Sequence, residues 1–159
     1  MTSETAAAVL SRLAAEGRTI ATAESLTGGG VGAALTAVPG SSRAYLGGVV
    51  SYATRVKVEL LDIPPALVEE HGVVSEQCAR AMAQGVRRLL GADVGVATTG
   101  VAGPDRQEDQ PAGRVFVAVA DEAGDEVRGL QLPGDRDAVR ASAGEAALDL
   151  VARRIGAFS

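Results

Sequence analysis

The sequence predicts an α/β protein, a three-layer α/β/α sandwich around a mixed, mostly parallel sheet. Three observations predict it. Helix-like and strand-like segments alternate along the chain, the pattern left by crossover-connected strands. Residues 93–98 are a continuous run of small, mostly apolar residues, as in a strand buried on both faces. Two strand-like segments near the end, 114–121 and 126–132, are joined through Ala123-Gly124-Asp125, which reads as a hairpin and adds antiparallel pairing.

Taken in order, Ala7, Val9, Leu10, Leu13 and Ala14 recur at helical spacing over residues 4–16. Residues 19–23 form the first strand, and Gly28, Gly29 and Gly30 lead into a helix over 31–38 that Pro39-Gly40 ends. Ser41 and Ser42 belong to the next turn. Residues 45–52 (YLGGVVSY) are a second strand whose glycines mark close backbone approach. A short helix over 54–61 stops before Pro64-Pro65, and 65–70 make another turn or two. Ser75 is an N-cap for a helix with Ala79, Met82, Val86, Leu89 and Leu90 on one stripe, closed by Gly91. The strand at 93–98 is followed by a polar loop, 101–112, and the chain ends in a long helix over 136–155 capped by Asp135 or Gly134.

A length of 159 residues suits one domain, 1–159, with a core that needs neither metal nor disulfide. Aromatic residues are only 3 %, so Val, Leu and Ala must fill that core. A net charge of −5 with no basic run argues against nucleic acid and against an anionic membrane surface. Residues 1–17 lack a signal-peptide pattern and no apolar run approaches ~18 residues, so a cytoplasmic protein is expected. With one cysteine (Cys78) and one histidine (His71), no His- or Cys-rich metal site can be assembled. Carboxylate-held magnesium stays open, but the expectation is no metal and no cofactor.

Of the 15 basic residues, Lys57 is the only lysine. Arginine cannot lose its proton in a protein, whereas burial can bring a lysine towards neutrality. A single lysine in an arginine background therefore marks a place where a removable proton is needed, or else one residual surface charge.

The stretch at 21–30, ATAESLTGGG, concentrates the chemistry. Gly28-x-Gly30-x-x-Ala33 matches the loose dinucleotide fingerprint, but no acidic residue stands near 48–52, about 20 residues on. A phosphate-binding P-loop fails because no Gly-Lys-Ser/Thr follows. A serine nucleophile is the other reading, with Ser25 near backbone N–H groups that can hold an oxyanion. His71 is poorly placed as its base, and Lys57 suits better, since Ser-Lys pairs follow the logic of the catalytic triad. Tyr52, five residues before Lys57, can relay a proton or hold the amine. Ser25, Tyr52 and Thr99 all follow predicted strands, at the end of the sheet where ligands gather. Arg136 and Arg140, spaced i, i+4, can address one anion together. Each residue singly also fits a structural role: Ser25 as an N-cap, Tyr52 as a strand-end residue, the arginines as partners of Asp135, Asp137 or Glu145.

Six motifs in order, AESLTGG (23–29), GSS (40–42), GGVVSYATRVK (47–57), HGVVSE (71–76), TGVAGPD (99–105) and GDRDAVR (134–140), resemble the C-terminal domain of the competence/damage-inducible CinA proteins. That domain also stands alone as nicotinamide mononucleotide deamidase. The resemblance implies hydrolysis of the carboxamide of nicotinamide mononucleotide to nicotinate mononucleotide and ammonia, without metal or cofactor. It implies Ser25 as nucleophile, assisted by Tyr52 and Lys57, with the amides of Thr27, Gly28 and Gly29 as oxyanion donors. Ser42, Thr99 and Gly100 become substrate contacts, and Arg136 and Arg140 become phosphate contacts. The family also suggests a homo-oligomer, such as a dimer. A non-catalytic pyridine-nucleotide-binding or competence-associated module remains the alternative. One departure is visible: after GPD the family continues with glycines, whereas Arg106-Gln107-Glu108-Asp109-Gln110 stand here. Acidic residues bordering a pocket would weaken phosphate binding or change the substrate.

Overall fold

The computed structural model describes residues 3–158, so Met1, Thr2 and Ser159, the ends of the expected domain span, lie outside the described residues. Helices α1 (Glu4–Ala15), α2 (Gly30–Thr36), α3 (Thr54–Leu61), α4 (Pro65–His71), α5 (Glu76–Leu90) and α6 (Arg136–Ile155) enclose strands β1 (Ile20–Glu24), β2 (Tyr45–Val50), β3 (Val94–Gly100), β4 (Arg114–Asp121) and β5 (Gly124–Gln131). The strand order is β2-β1-β3-β4-β5. The β1–β2 and β1–β3 ladders are parallel and the β3–β4 and β4–β5 ladders antiparallel, so only β4 runs against the others. The expected mixed sheet is present; most strands share one direction, but the ladders divide evenly.

Alternation along the strands splits the core into two layers. Ile20, Val94, Val96, Val115, Val117 and Val119 face α1, α2 and α6. Ala21, Ala23, Ala97, Ala118 and Ala120 face α5 and Leu61 and Ile63 beside α3. Valines on one face and alanines on the other explain how so few aromatic residues suffice: α5 seats directly on the backbone of the sheet. A Cβ on Gly95 would stand 2.1 Å from the Ala83 carbonyl oxygen, and one on Gly85 would stand 2.3 Å from that of Leu61. Ser75 caps α5 by accepting from Cys78 N at 3.1 Å, and Asp135 caps α6 by accepting from Ala138 N at 2.9 Å. No helix among the described residues is long and apolar enough to cross a membrane.

Two strand ends differ from expectation in ways that matter for the site. β2 stops at Val50, leaving Ser51 and Tyr52 beyond its carboxyl end, and β3 continues through Thr99 and Gly100. β1 connects to β2 on one side and lies against β3 on the other, so the carboxyl end of β1 is a topological switch point, where open α/β sheets form a crevice.

Gly95→Ala should cost about 1–3 kcal/mol of stability by forcing α5 off the sheet. Urea unfolding would read it as a lower midpoint with the slope retained; an unchanged midpoint would show that α5 is not seated as closely as described.

Candidate active site

The strand-to-helix turn after β1 is built around the side chain of Glu24. Its carboxylate is buried, yet no cation among the described residues pairs with it. Instead Oε1 accepts from the Thr27 hydroxyl at 2.6 Å, Val31 N at 2.8 Å and Gly29 N at 3.2 Å, while Oε2 accepts from Gly32 N at 3.0 Å. A carboxylate at the start of α2 satisfies orphan helix amides and sits at the positive end of the dipole. Gly29 precedes the helix with φ +104°, a conformation that requires glycine there. The Thr27 hydroxyl also bonds Thr98 Oγ1 at 2.8 Å, which ties the turn to β3.

Ser25 is the first residue of this turn. Its amide donates to the Thr98 carbonyl at 3.1 Å, and its hydroxyl meets Lys57. Lys57, on the first turns of α3, is only 1 % exposed. Its amine donates to the Ser51 carbonyl at 2.6 Å, the Tyr52 carbonyl at 3.2 Å and Ser25 Oγ at 3.0 Å. Burial pushes the Lys57 pKa down, and the nearby Cys78 and Glu108 act in the opposite sense. Three acceptors suit an ammonium. They suit the neutral amine equally: two N–H groups remain on the carbonyls, and the freed lone pair faces the Ser25 hydroxyl, which then donates.

Ser25, Lys57, Tyr52, Thr99, Gly100, Arg106 and Arg136 line one cavity of about 330 Å³. Several site expectations need correction. The Tyr52 phenol does not hold the amine; the backbone carbonyl of Tyr52 does, and the phenol accepts from Arg136 Nη2 at 3.2 Å. Ser42 lies in the 3-10 turn Ser41–Arg43 that leads into β2, at the opposite end of the sheet, and does not line the cavity. Gly28 N donates to the Ser25 carbonyl at 3.1 Å and Gly29 N to Glu24, so neither amide is available to an oxyanion. The amides of Leu26 and Thr27 have no acceptor among the described residues. Thr99 donates its hydroxyl proton to the Val73 carbonyl at 2.7 Å, which leaves its oxygen able only to accept.

The two arginines separate. Arg136 lines the cavity and donates to the Gly103 carbonyl at 2.6 Å. Arg140 instead donates from Nε to the Leu26 carbonyl at 3.0 Å and from Nη2 to the Thr27 carbonyl at 3.5 Å, gripping the Ser25 turn from behind. None of the acidic partners considered for them, Asp135, Asp137 or Glu145, pairs with either one among the described residues. Sequence reasoning missed the parts played by Glu24, Ser51 and Arg140. The signal for Glu24 was a carboxylate placed directly between an apolar strand and a glycine-started helix.

A buried, unpaired lysine against a serine, at the switch point of an α/β sheet, defines a protein with a candidate nucleophile site inside a polar cleft. The chain belongs to the CinA C-terminal domain family, whose model matches residues 2–155. It is 49 % identical over 147 residues to a CinA-like protein of Frankia casuarinae, covering 92 % of this chain and 34 % of that protein. It is 44 % identical over 154 residues to one of Geobacter metallireducens, covering 96 % and 37 %. The chain thus spans about a third of the length of these curated relatives. Among solved structures it is similar to the competence damage-inducible protein A (ComA) of Klebsiella pneumoniae, with TM-score 0.93, 35 % identity and 96 % of each chain covered. A CinA superfamily protein of Escherichia coli gives TM-score 0.91 and 32 % identity over 94 % of this chain and 88 % of that one.

Because folding lowers the Lys57 pKa, the charged amine works against folding below its folded pKa, and that penalty is gone above 10.5, the ordinary value. Reaction of Ser25 with a serine-directed sulfonyl fluoride should therefore accelerate as pH rises, with a midpoint below 10.5. Lys57→Met should abolish the acceleration. A rate that follows pH equally in both proteins would uncouple the two residues.

Proposed function

We propose that this chain hydrolyses the carboxamide of nicotinamide mononucleotide, giving nicotinate mononucleotide and ammonia. The observation that carries this reading is the 3.0 Å contact between Lys57 Nζ and Ser25 Oγ, with the amine buried and unpaired by any carboxylate among the described residues. A carboxylate neighbour would hold Lys57 protonated; carbonyl neighbours let it discharge. Ser25 Oγ attacks the amide carbon while its proton passes to Lys57, and the oxygen that gains charge turns to the free amides of Leu26 and Thr27. Lys57 returns the proton to the leaving nitrogen, which departs as ammonia and leaves an acyl-serine. Water then attacks the acyl carbon with Lys57 again as base, releasing the carboxylate and restoring Ser25. Thr99, able only to accept, suits an N–H of the carboxamide. Arg136 supplies a fixed cation for the phosphate.

Ammonia release from nicotinamide mononucleotide by the purified chain tests the reading. Ser25→Ala and Lys57→Arg should each lose about 10³-fold or more, since Arg keeps the charge but cannot act as a base. Full activity in either variant would sink the assignment. Arg136→Ala should raise KM roughly tenfold or more, the scale of one charge-assisted contact. Arg140→Ala should act mainly on kcat, because it holds the turn and does not line the cavity; a pure KM effect would return Arg140 to the phosphate.

A further inference from the structure

Residues 107–110 form an ordered hairpin turn. Gln107 N donates to the Gln110 carbonyl at 3.1 Å and Gln110 N to the Gln107 carbonyl at 2.8 Å. Between them Glu108 and Asp109 both adopt positive φ, 51° and 60°, the geometry of a tight two-residue hairpin turn. Such positions normally call for Asn or Gly, so something must hold non-glycine residues there. The Glu108 side chain does. Its Oε1 accepts from Val74 N at 2.8 Å and its Oε2 from Val73 N at 3.0 Å, and a Cβ on Gly72 would stand only 2.8 Å from Oε1. Val73 is gripped from two sides, because its carbonyl accepts from Thr99. The loop is tied again at its base, where Gly103 accepts from Arg136.

Neither Glu108 nor Asp109 lines the cavity. The Glu108 carboxylate is taken up by two backbone amides of the connection between α4 and α5. What the hairpin brings to the cavity is Arg106 and Gln107, which line it together with Arg136, Lys57 and one acidic residue, Asp105. The Arg106 guanidinium is braced by one donation to the Asp109 carbonyl. It has five N–H groups, so most of its fork stays available.

We propose that Arg106 is a second cationic contact for the substrate phosphate, sharing the cavity with Arg136, and that the Glu108 latch holds it in place. This rests on the reading of the site as one for a pyridine mononucleotide. It makes Arg106 a specificity residue: a ligand with a phosphate gains from both guanidinium groups, and its dephosphorylated counterpart gains from neither. Glu108 is a positioning residue that acts through Arg106.

The test is a pair of calorimetric titrations, nicotinamide mononucleotide and nicotinamide riboside, into Ser25→Ala protein and into the same protein also carrying Arg106→Gln, Glu108→Gln or both. Ammonia release from the mononucleotide is measured alongside with Ser25 intact. The preference for mononucleotide over riboside should fall about tenfold in Arg106→Gln, the scale of one charge-assisted contact. It should fall comparably in Glu108→Gln, and by no more in the double variant, because the two act as a unit. Arg106→Lys should recover part of the preference, which a merely structural role would not. An unchanged preference in Arg106→Gln overturns the proposal, as does additive loss in the double variant for the latch. If ammonia is never released but the preference depends on Arg106, the phosphate contact stands and the deamidase reading fails. If ammonia is released with the preference untouched, the reverse holds. Binding of neither ligand overturns the contact.

Discussion

Everything in the site depends on two buried charges of opposite sign that flank Ser25 and do not neutralise each other. Glu24 is satisfied by three amides and a hydroxyl, and Lys57 by two carbonyls and a hydroxyl. A direct Glu24–Lys57 ion pair would have been the obvious way to bury both. It would also have held the lysine protonated, and a paired ammonium is useless as a base. Dipoles provide the alternative: enough stabilisation to tolerate each charge, but little enough on Lys57 that burial still lowers its pKa. The expense of desolvating Glu24 is offset by the start of α2, which needs an anion there in any case.

That arrangement decides where an oxyanion can be held. Glycines before a helix suggest open amide donors, but the same amides are the first that a neighbouring carboxylate will claim. Glu24 claims those of Gly29, Val31 and Gly32, and Gly28 closes a turn onto Ser25. Of the donors left over, Leu26 and Thr27, the Thr27 amide is held in place because Arg140 grips the Leu26 carbonyl of the same peptide unit. The Leu26 amide shares its peptide unit with the Ser25 carbonyl, which is held in turn by Gly28 N. Arg136 stands four residues earlier, about 6 Å along the helix at 1.5 Å per residue, and that is far enough to serve the cavity rather than the turn.

How much of this could be read from the sequence follows from the range of the interactions involved. Periodicity and turn chemistry are local, and the bounds of α3, β4 and α6 agree with the sequence expectation. The meeting of Ser25 with the Lys57 segment also follows from topology, because both lie beyond the carboxyl ends of adjacent parallel strands. Ser42 failed on the same ground: a motif can be present and still sit at the other end of the sheet, and only the direction of β2 decides which. The expectation that the Tyr52 phenol holds the amine failed at the level of one side chain, since its carbonyl and its phenol serve different partners. The division of labour between Arg136 and Arg140 was invisible because i, i+4 spacing fixes a helix face but not what that face meets at each turn.

The arginine background of the chain gains a physical meaning from this geometry. At several other basic positions a permanent cation serves: Arg154 on Asp121, Arg80 on Asp125, Arg140 on backbone carbonyls. At position 57 a permanent cation would be trapped in a site without an anion, with a guanidinium too large for three acceptors arranged around one nitrogen. An amine fits those acceptors both charged and neutral, and only the neutral form lets the Ser25 hydroxyl donate. Under the proposed hydrolysis the constraint on position 57 is thus two-sided: it must fill the same three hydrogen bonds in both protonation states, and among the basic side chains of this sequence only lysine does so.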